Sequence, residues 1–286
     1  MSATVDGFEL DSAPGGKSAS RPSSGRRLYG ALQNHPGAVL SPLSFVVLLV
    51  LWEVVSRAGL VAPIVLPPPS RVWDGLVILF TAPWFPEHVW LTTAETLIGF
   101  VTGGVAAILL GIVMVNVPLF KEVVYPYVVA FQVMPKVVLA PIFITWFGFG
   151  IESKIVMAIA ISFFPVVINT VVGLESVEEN ASLLMRSLVA SRRQIFCKLA
   201  WPTALPSIFA GLKTSLTLAL IGALVAEFVT AKEGLGTLIT TFSFELKVYL
   251  VFAVIIVVSV LGLVLYGIME YLDRKVVFWR RSHFTG

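Results

Sequence analysis

"VYLVFAVIIVVSVLGLVLYGIMEYL", residues 248–272, carries a single charge, Glu270, in 25 residues. As an α-helix it is about 38 Å long, more than the roughly 30 Å hydrocarbon core of a bilayer. The rest of the chain has the same character. Of 286 residues, 57% are hydrophobic and 13% charged, and the mean hydropathy is +0.91. A soluble domain carries roughly 25% charged residues. The composition therefore predicts an all-α integral membrane protein.

Working outward from 248–271, five further apolar stretches are long enough to cross, at 40–58, 92–117, 124–148, 154–174 and 205–230. The prediction is six transmembrane helices. Segment 66–88, "LPPPSRVWDGLVILFTAPWFPEH", is too short and proline-rich to span. It is expected to hold an interfacial helix with Trp73, Trp84 and Trp90 at headgroup level. Residues 1–38 are rich in Ser, Gly and Pro and contain no apolar run, so they read as a disordered cytoplasmic tail. The transmembrane domain is then 39–286. Cys197 is the one cysteine, which excludes an intrachain disulfide.

Basic residues set the direction. With the N-terminus inside, fourteen Lys and Arg, Lys213 among them, fall on the inner side and five, including Lys154, on the outer. Lys136, within the third span, is the one counted to neither side, which accounts for all 20. Both termini and the 175–204 loop are therefore expected in the cytoplasm. In the second span, Gly99-x-x-x-Gly103 and Ala107-x-x-x-Gly111 are small residues at a spacing that lets helices approach closely.

The 175–204 loop is far longer than the roughly 2–8 residues that helix connections in bundles use. Ser176-Val-Glu-Glu179 and Ser191-Arg-Arg-Gln194 read as capping boxes opening two short helices, about 177–188 and 192–200. Pro202 and Pro206 are expected to turn the chain back into the membrane. Leu184 and Leu188 share a face, with Leu183 beside them and Arg192, Arg193 and Lys198 nearby. Such a pair is either a docking element or a helix lying on the inner leaflet.

Charges inside a span usually face a cavity or a partner. Lys136 stands beside Gln132 and Pro135, in a span that Pro126, Pro135 and Pro141 should bend. Asn169 and Glu227 lie in the fourth and fifth spans. Gln132, Lys136, Asn169 and Glu227 are the candidates for a translocation path, with Thr214, Ser215 and Thr217 as possible lining. Lys136 would favour an anionic solute. Glu95 in the second span is a further acid, and Glu53 near the outer end of the first is given no role.

The stretches "LPPPSRVWDGL" (66–76), "MPKVVLAPIFITWFGFG" (134–150), "FFPVVINTVVGL" (163–174), "ALPSIFAGLK" (204–213) and "GALVAEFVTAKEGLGTLI" (222–239) occur in one order. In that order they resemble the permeases of binding-protein-dependent ABC importers of the nitrate/sulfonate/taurine type, over roughly 60–272. The loop is similar to the family's cytoplasmic signature E-A-A-x3-G-x9-I-x-L-P. Leu183, Leu184 and Met185 stand at E-A-A, Val189 at Gly, and Leu199, Trp201 and Pro202 at I, L and P. The first half departs from the pattern at every named position. The resemblance implies a type I ABC importer permease fold. It also implies that the loop couples to a separate ATPase dimer through Glu178, Glu179, Leu183, Leu184, Arg186, Leu188, Val189, Arg192, Arg193 and Pro202. A β-branched Val189 is poor at φ > 0, so the turn is expected to move to Ala190–Ser191 or change shape.

By the same resemblance the partners are an ATP-binding ATPase dimer, an extracytoplasmic binding protein and a second permease chain, a homodimer being expected over a heterodimer. The setting is a bacterial inner membrane, and no nucleic acid partner is expected. "GLKTS" (211–215) lacks the Gly-Lys adjacency of a phosphate loop, so ATP belongs to the partner and no cofactor or metal is expected here. The chain reads as a transport subunit, not an enzyme. A secondary transporter or channel without an ATPase is the alternative. It would want an inverted repeat or an acid-lined path, and a membrane enzyme would want a nucleophile–base set.

Overall fold

The computed structural model describes residues 36–230 and 232–279. The expected tail lies outside the described residues except for 36–38. Two units are distinguished, residues 1–54 and 55–286. The first holds most of α1 (Pro36–Arg57), a helix of 22 residues.

The second unit contains the other helices. These are α2 (Pro69–Thr81), α3 (Phe85–Asn116), α4 (Pro118–Val133), a 3-10 turn (Lys136–Leu139), α5 (Ala140–Phe147), α6 (Ile151–Glu175), α7 (Glu179–Ser187), α8 (Arg192–Ile195), a π turn (Phe196–Ala200), α9 (Trp201–Thr230), α10 (Leu235–Phe244) and α11 (Val248–Val276). Among the described residues, four helical stretches are long and apolar enough to cross a membrane: α3, α6, the run 192–230 and α11. A fifth is counted if α4 and the 136–147 segment form one broken span. The short helix expected in 66–88 is present as α2, and Trp73, Trp84 and Trp90 are all exposed.

The third span, 124–148, is bent as its prolines predict, and sharply: its two halves meet at 89°. Three prolines were candidates for the bend, and Pro135 makes it. Met134 is extended (φ −62°, ψ 135°), the conformation that a following proline ring imposes. Pro126 is carried inside α4, and Pro141 sits in the first turn of α5, where no N–H is needed.

Helix α6 is the centre of the unit and packs against both α3 and α9. Small residues line both contacts. A Cβ on Gly99 would overlap that of Ala158, and one on Gly111 would meet Thr170 at 2.7 Å. On the α9 side a Cβ on Gly222 would meet the Ala158 backbone at 2.8 Å. The Gly99–Gly111 stripe is thus a helix crossing within the chain. In a bilayer such packing stabilises through dispersion rather than hydrophobic transfer. Large apolar side chains such as Phe80 and Leu263 point outward, while Thr92, Thr96, Ser162 and Thr170 are fully buried. Several buried hydroxyls donate back to their own helix, as Thr96 does to Thr92 O (2.7 Å) and Thr170 to Val166 O (2.7 Å).

The loop departs from expectation in three places. Ser176 does not cap α7: its hydroxyl donates back to Gly173 O at 2.8 Å, and Glu178 takes the cap position without a side-chain bond. The Ser191 capping box is present, with Gln194 N–H donating to Ser191 Oγ and Ser191 N–H to Gln194 Oε1 (2.7 Å). The second helix is not separate, however. It runs through the π turn into α9, giving a helical stretch of 39 residues. Pro202 follows the widened turn directly and Pro206 lies inside α9, so neither proline turns the chain.

The third departure is Val189, which adopts φ +57° despite its branched side chain. Its N–H bonds Arg186 O (2.9 Å), and Ala190 N–H bonds Met185 O (3.0 Å). These are the two hydrogen bonds of a Schellman motif, which places a left-handed residue, usually Gly, just beyond the helix. The turn keeps a glycine's geometry and does not shift to Ala190–Ser191.

Candidate functional site

The loop presents its apolar residues to the outside. Leu183, Leu184 and Leu188 are exposed, and Val189 is 90% exposed. Glu178, Glu179 and Arg193 are exposed beside them. Arg186 and Arg192 face the other way, onto a cavity of about 700 Å³ with Asn116, Ser182 and Phe196. Pro202 is half-buried at the root of α9. Of the residues expected to couple to an ATPase, Leu183, Leu184, Leu188 and Val189 form an exposed apolar ridge along α7 and its C-terminal turn, whereas Arg186, Arg192 and Pro202 lie off it.

The break at Pro135 builds a second feature. The 3-10 turn sets Lys136 on a cavity of about 420 Å³ lined also by Gln132, Asn169 and Thr214. Lys136 Nζ donates to Gln132 O at 2.9 Å and stands 5.0 Å from the Phe164 ring centre. Asn169 Nδ2 donates to Pro165 O (2.8 Å), which leaves its Oδ1 available to the cavity. Of the four residues expected on a path, three meet here. Ser215 is fully buried, and Thr217 lies with Lys213 on a neighbouring cavity.

Glu227 is elsewhere. It is fully buried, and its carboxylate accepts from Thr92 Oγ1 (2.6 Å) and from the Gly236 N–H (2.6 Å). Two more distant side chains finish the N-terminus of α10: Leu235 N–H donates to Thr92 Oγ1 (2.9 Å) and Gly234 N–H to His88 Nδ1 (2.9 Å). Helix N-termini leave such donors unsatisfied, and a local cap usually takes them. Here the cap is assembled from α3 and α9. Gly234 has φ +118°, and a Cβ there would occupy the space of the Glu227 carboxylate.

Beside Glu227 lies a buried ion pair that the sequence did not reveal. Lys154, assigned to the outer loop, is 3% exposed in the first turn of α6. Its Nζ donates to Glu95 Oε1 and to Glu233 O, both at 2.8 Å. Lys213 is likewise within a helix, α9, bonded to Glu270 and Asp273 of α11. A signal for the first pair was available: two acids within spans, Glu95 and Glu227, call for a cation at the same depth. Lys154 stands at the start of the only span that offers one there.

Residues 99–278 match the family model described as "Binding-protein-dependent transport system inner membrane component". The chain is 35% identical over 257 residues to the formylaminopyrimidine transport permease protein ThiX of Halalkalibacterium halodurans, covering 90% of this chain and 99% of that one. It is 32% identical to the riboflavin transport system permease protein RibX of Chloroflexus aurantiacus (84% and 90% covered). It is 29% identical to the taurine transport system permease protein TauC of Escherichia coli (84% and 89%). A solved structure of the MetNI methionine ABC transporter, inward facing, superposes with a TM-score of 0.57 at 20% identity. That match covers 66% of this chain and 94% of the other, and it speaks to the fold alone.

Proposed function

Because the chain belongs to the family of binding-protein-dependent transport system inner membrane components, we propose that it forms one half of a six-helix-per-chain pathway whose 175–204 loop docks a separate ATPase. The chain is a multi-pass inner-membrane permease subunit of an ABC importer, and ATP is bound and hydrolysed on another subunit. In this reading a binding protein delivers the solute, which the dependence named in the family's description supports.

The finer reading has both termini in the cytoplasm and a second copy of the chain completing the path. The solute is small and polar. The relatives' names span formylaminopyrimidine, riboflavin and taurine, so the family leaves the choice open. Lys136 on the cavity with Gln132 and Asn169 favours a solute with an anionic or carbonyl group. The observation that carries the coupling role is the ridge of Leu183, Leu184 and Leu188, exposed in a segment otherwise rich in charge. An apolar ridge between arginines suits a groove on a soluble partner.

The test is reconstitution. Purified with its ATPase subunit, the chain should run as a complex with two permease chains and take up solute only with ATP and the binding protein. Uptake by this chain without an ATPase would return the reading to a secondary transporter.

A further inference from the structure

We propose that the solute combines a flat apolar part with an anionic or carbonyl head, held at Lys136 between two cavities of opposite character. This rests on the reading of the Lys136 cavity as part of the path. The first cavity, about 420 Å³, offers Gln132, Asn169 and Thr214. The second, about 270 Å³, is almost wholly apolar, with Phe131, Phe163 and Phe164 among its walls. Lys136 lines both.

The ammonium is placed to serve both sides. Among the described residues its partners are neutral: the Gln132 carbonyl and the Phe164 ring. An ammonium has three N–H donors. One is taken by Gln132 O, so two remain for an incoming acceptor. Among the described residues no carboxylate pairs with it, and Glu227 is held elsewhere by Thr92 and Gly236. A cation at membrane depth without a counter-ion is costly unless it faces water or a ligand.

The aromatic wall is ordered. Phe131 and Phe164 lie nearly parallel, with centroids 6.2 Å apart and planes at 23°, and Phe163 meets Phe164 edge-on at 5.3 Å. Flat rings prefer such offset and edge faces, so a planar group can extend the stack. A bare oxyanion would use only the polar side, and an acyl chain only the apolar side. A solute with both parts uses Lys136 as the hinge between them. Each cavity is near the lower end of the size that small-molecule sites show, and together they accommodate two linked groups.

The experiment uses the complete transporter in nanodiscs, without binding protein, with benzenesulfonate and methanesulfonate as probes. Benzenesulfonate should bind at least tenfold more tightly. Phe164→Leu should remove that advantage and leave methanesulfonate binding unchanged, and Lys136→Met should weaken both probes. Equal affinity for the two probes in the unmodified protein overturns the proposal. So does benzenesulfonate binding that survives both substitutions, which marks partition into lipid. The path reading is checked separately with Thr214→Cys on a Cys197→Ser background. Labelling by a water-soluble thiol reagent that changes with ATP supports a path, and labelling with equal probe affinities overturns only the substrate class. No labelling in any nucleotide state removes the path and the proposal with it.

Discussion

Lys154 Nζ lies 2.8 Å from Glu95 Oε1, and both side chains are almost wholly excluded from solvent. The two residues are 59 positions apart, on α6 and α3. Lys154 also donates to Glu233 O just ahead of α10. The pair thus ties the segment leading into the short helix to both neighbours of the central crossing.

Removing one partner strands the other charge where nothing solvates it. Lys154→Met or Glu95→Leu is therefore expected to cost about 3–5 kcal/mol, whereas the double substitution should cost much less than the sum. Thermal unfolding of the detergent-solubilised chain, run as a double-mutant cycle, measures this. Additive losses would show that the two charges do not depend on each other.

Glu227 holds the start of α10 by accepting from both Thr92 and Gly236. Glu227→Gln keeps one acceptor and turns an NH2 toward a donor, so a loss of about 1–3 kcal/mol is expected. Hydrogen exchange should localise it, with faster exchange at the Gly234, Leu235 and Gly236 amides and little change in α6. Uniform protection across α10 in the variant would remove Glu227 from this capping role.

Val189 sustains φ +57° at the end of α7, a conformation that costs an ordinary residue about 1–2 kcal/mol. Glycine avoids that cost but brings about 0.5–1 kcal/mol of extra chain freedom. Val189→Gly should therefore stabilise the loop by up to about 1 kcal/mol, and Val189→Thr, equally branched, should be neutral. Amide exchange at Leu188–Ala190 reads the difference. Faster exchange in Val189→Gly would mean that the turn is not strained.

Leu184 and Leu188 are exposed on the ridge proposed to meet the ATPase. Leu184→Asp or Leu188→Asp would press a carboxylate without a partner into an apolar groove. The expected result is ATP hydrolysis uncoupled from uptake, or loss of ATPase co-purification, with insertion and thermal stability of the permease unchanged. Normal coupled uptake in both variants would leave the ridge as an interfacial helix.

What the sequence by itself determined is what depends on local sums. Hydropathy adds along the chain, so α3, α6, α9 and α11 were legible to within a few residues, except that α3 begins seven residues before the expected 92. The Ser191 capping box, closed within four residues, was legible for the same reason. The proposed coupling residues came from spacing and resemblance, and the Lys136 candidates from polar residues at membrane depth.

Tertiary structure decided what depends on approach across the chain. Each of three prolines satisfies the local rule for a bend, and only the folded chain shows that the break falls at Pro135 while Pro126 stays inside α4. Val189 is the local exception: its φ is set by the Schellman hydrogen bonds to Arg186 and Met185 within the same turn, against the preference of its own side chain. Lys154 looked like a loop residue because its acceptors, Glu95 and Glu233, are 59 and 79 positions away. Glu227 looked like a path residue because Thr92, which occupies it, is 135 positions away. A charge inside a membrane needs a partner or a cavity beside it, and either is supplied by packing in space rather than by order along the chain.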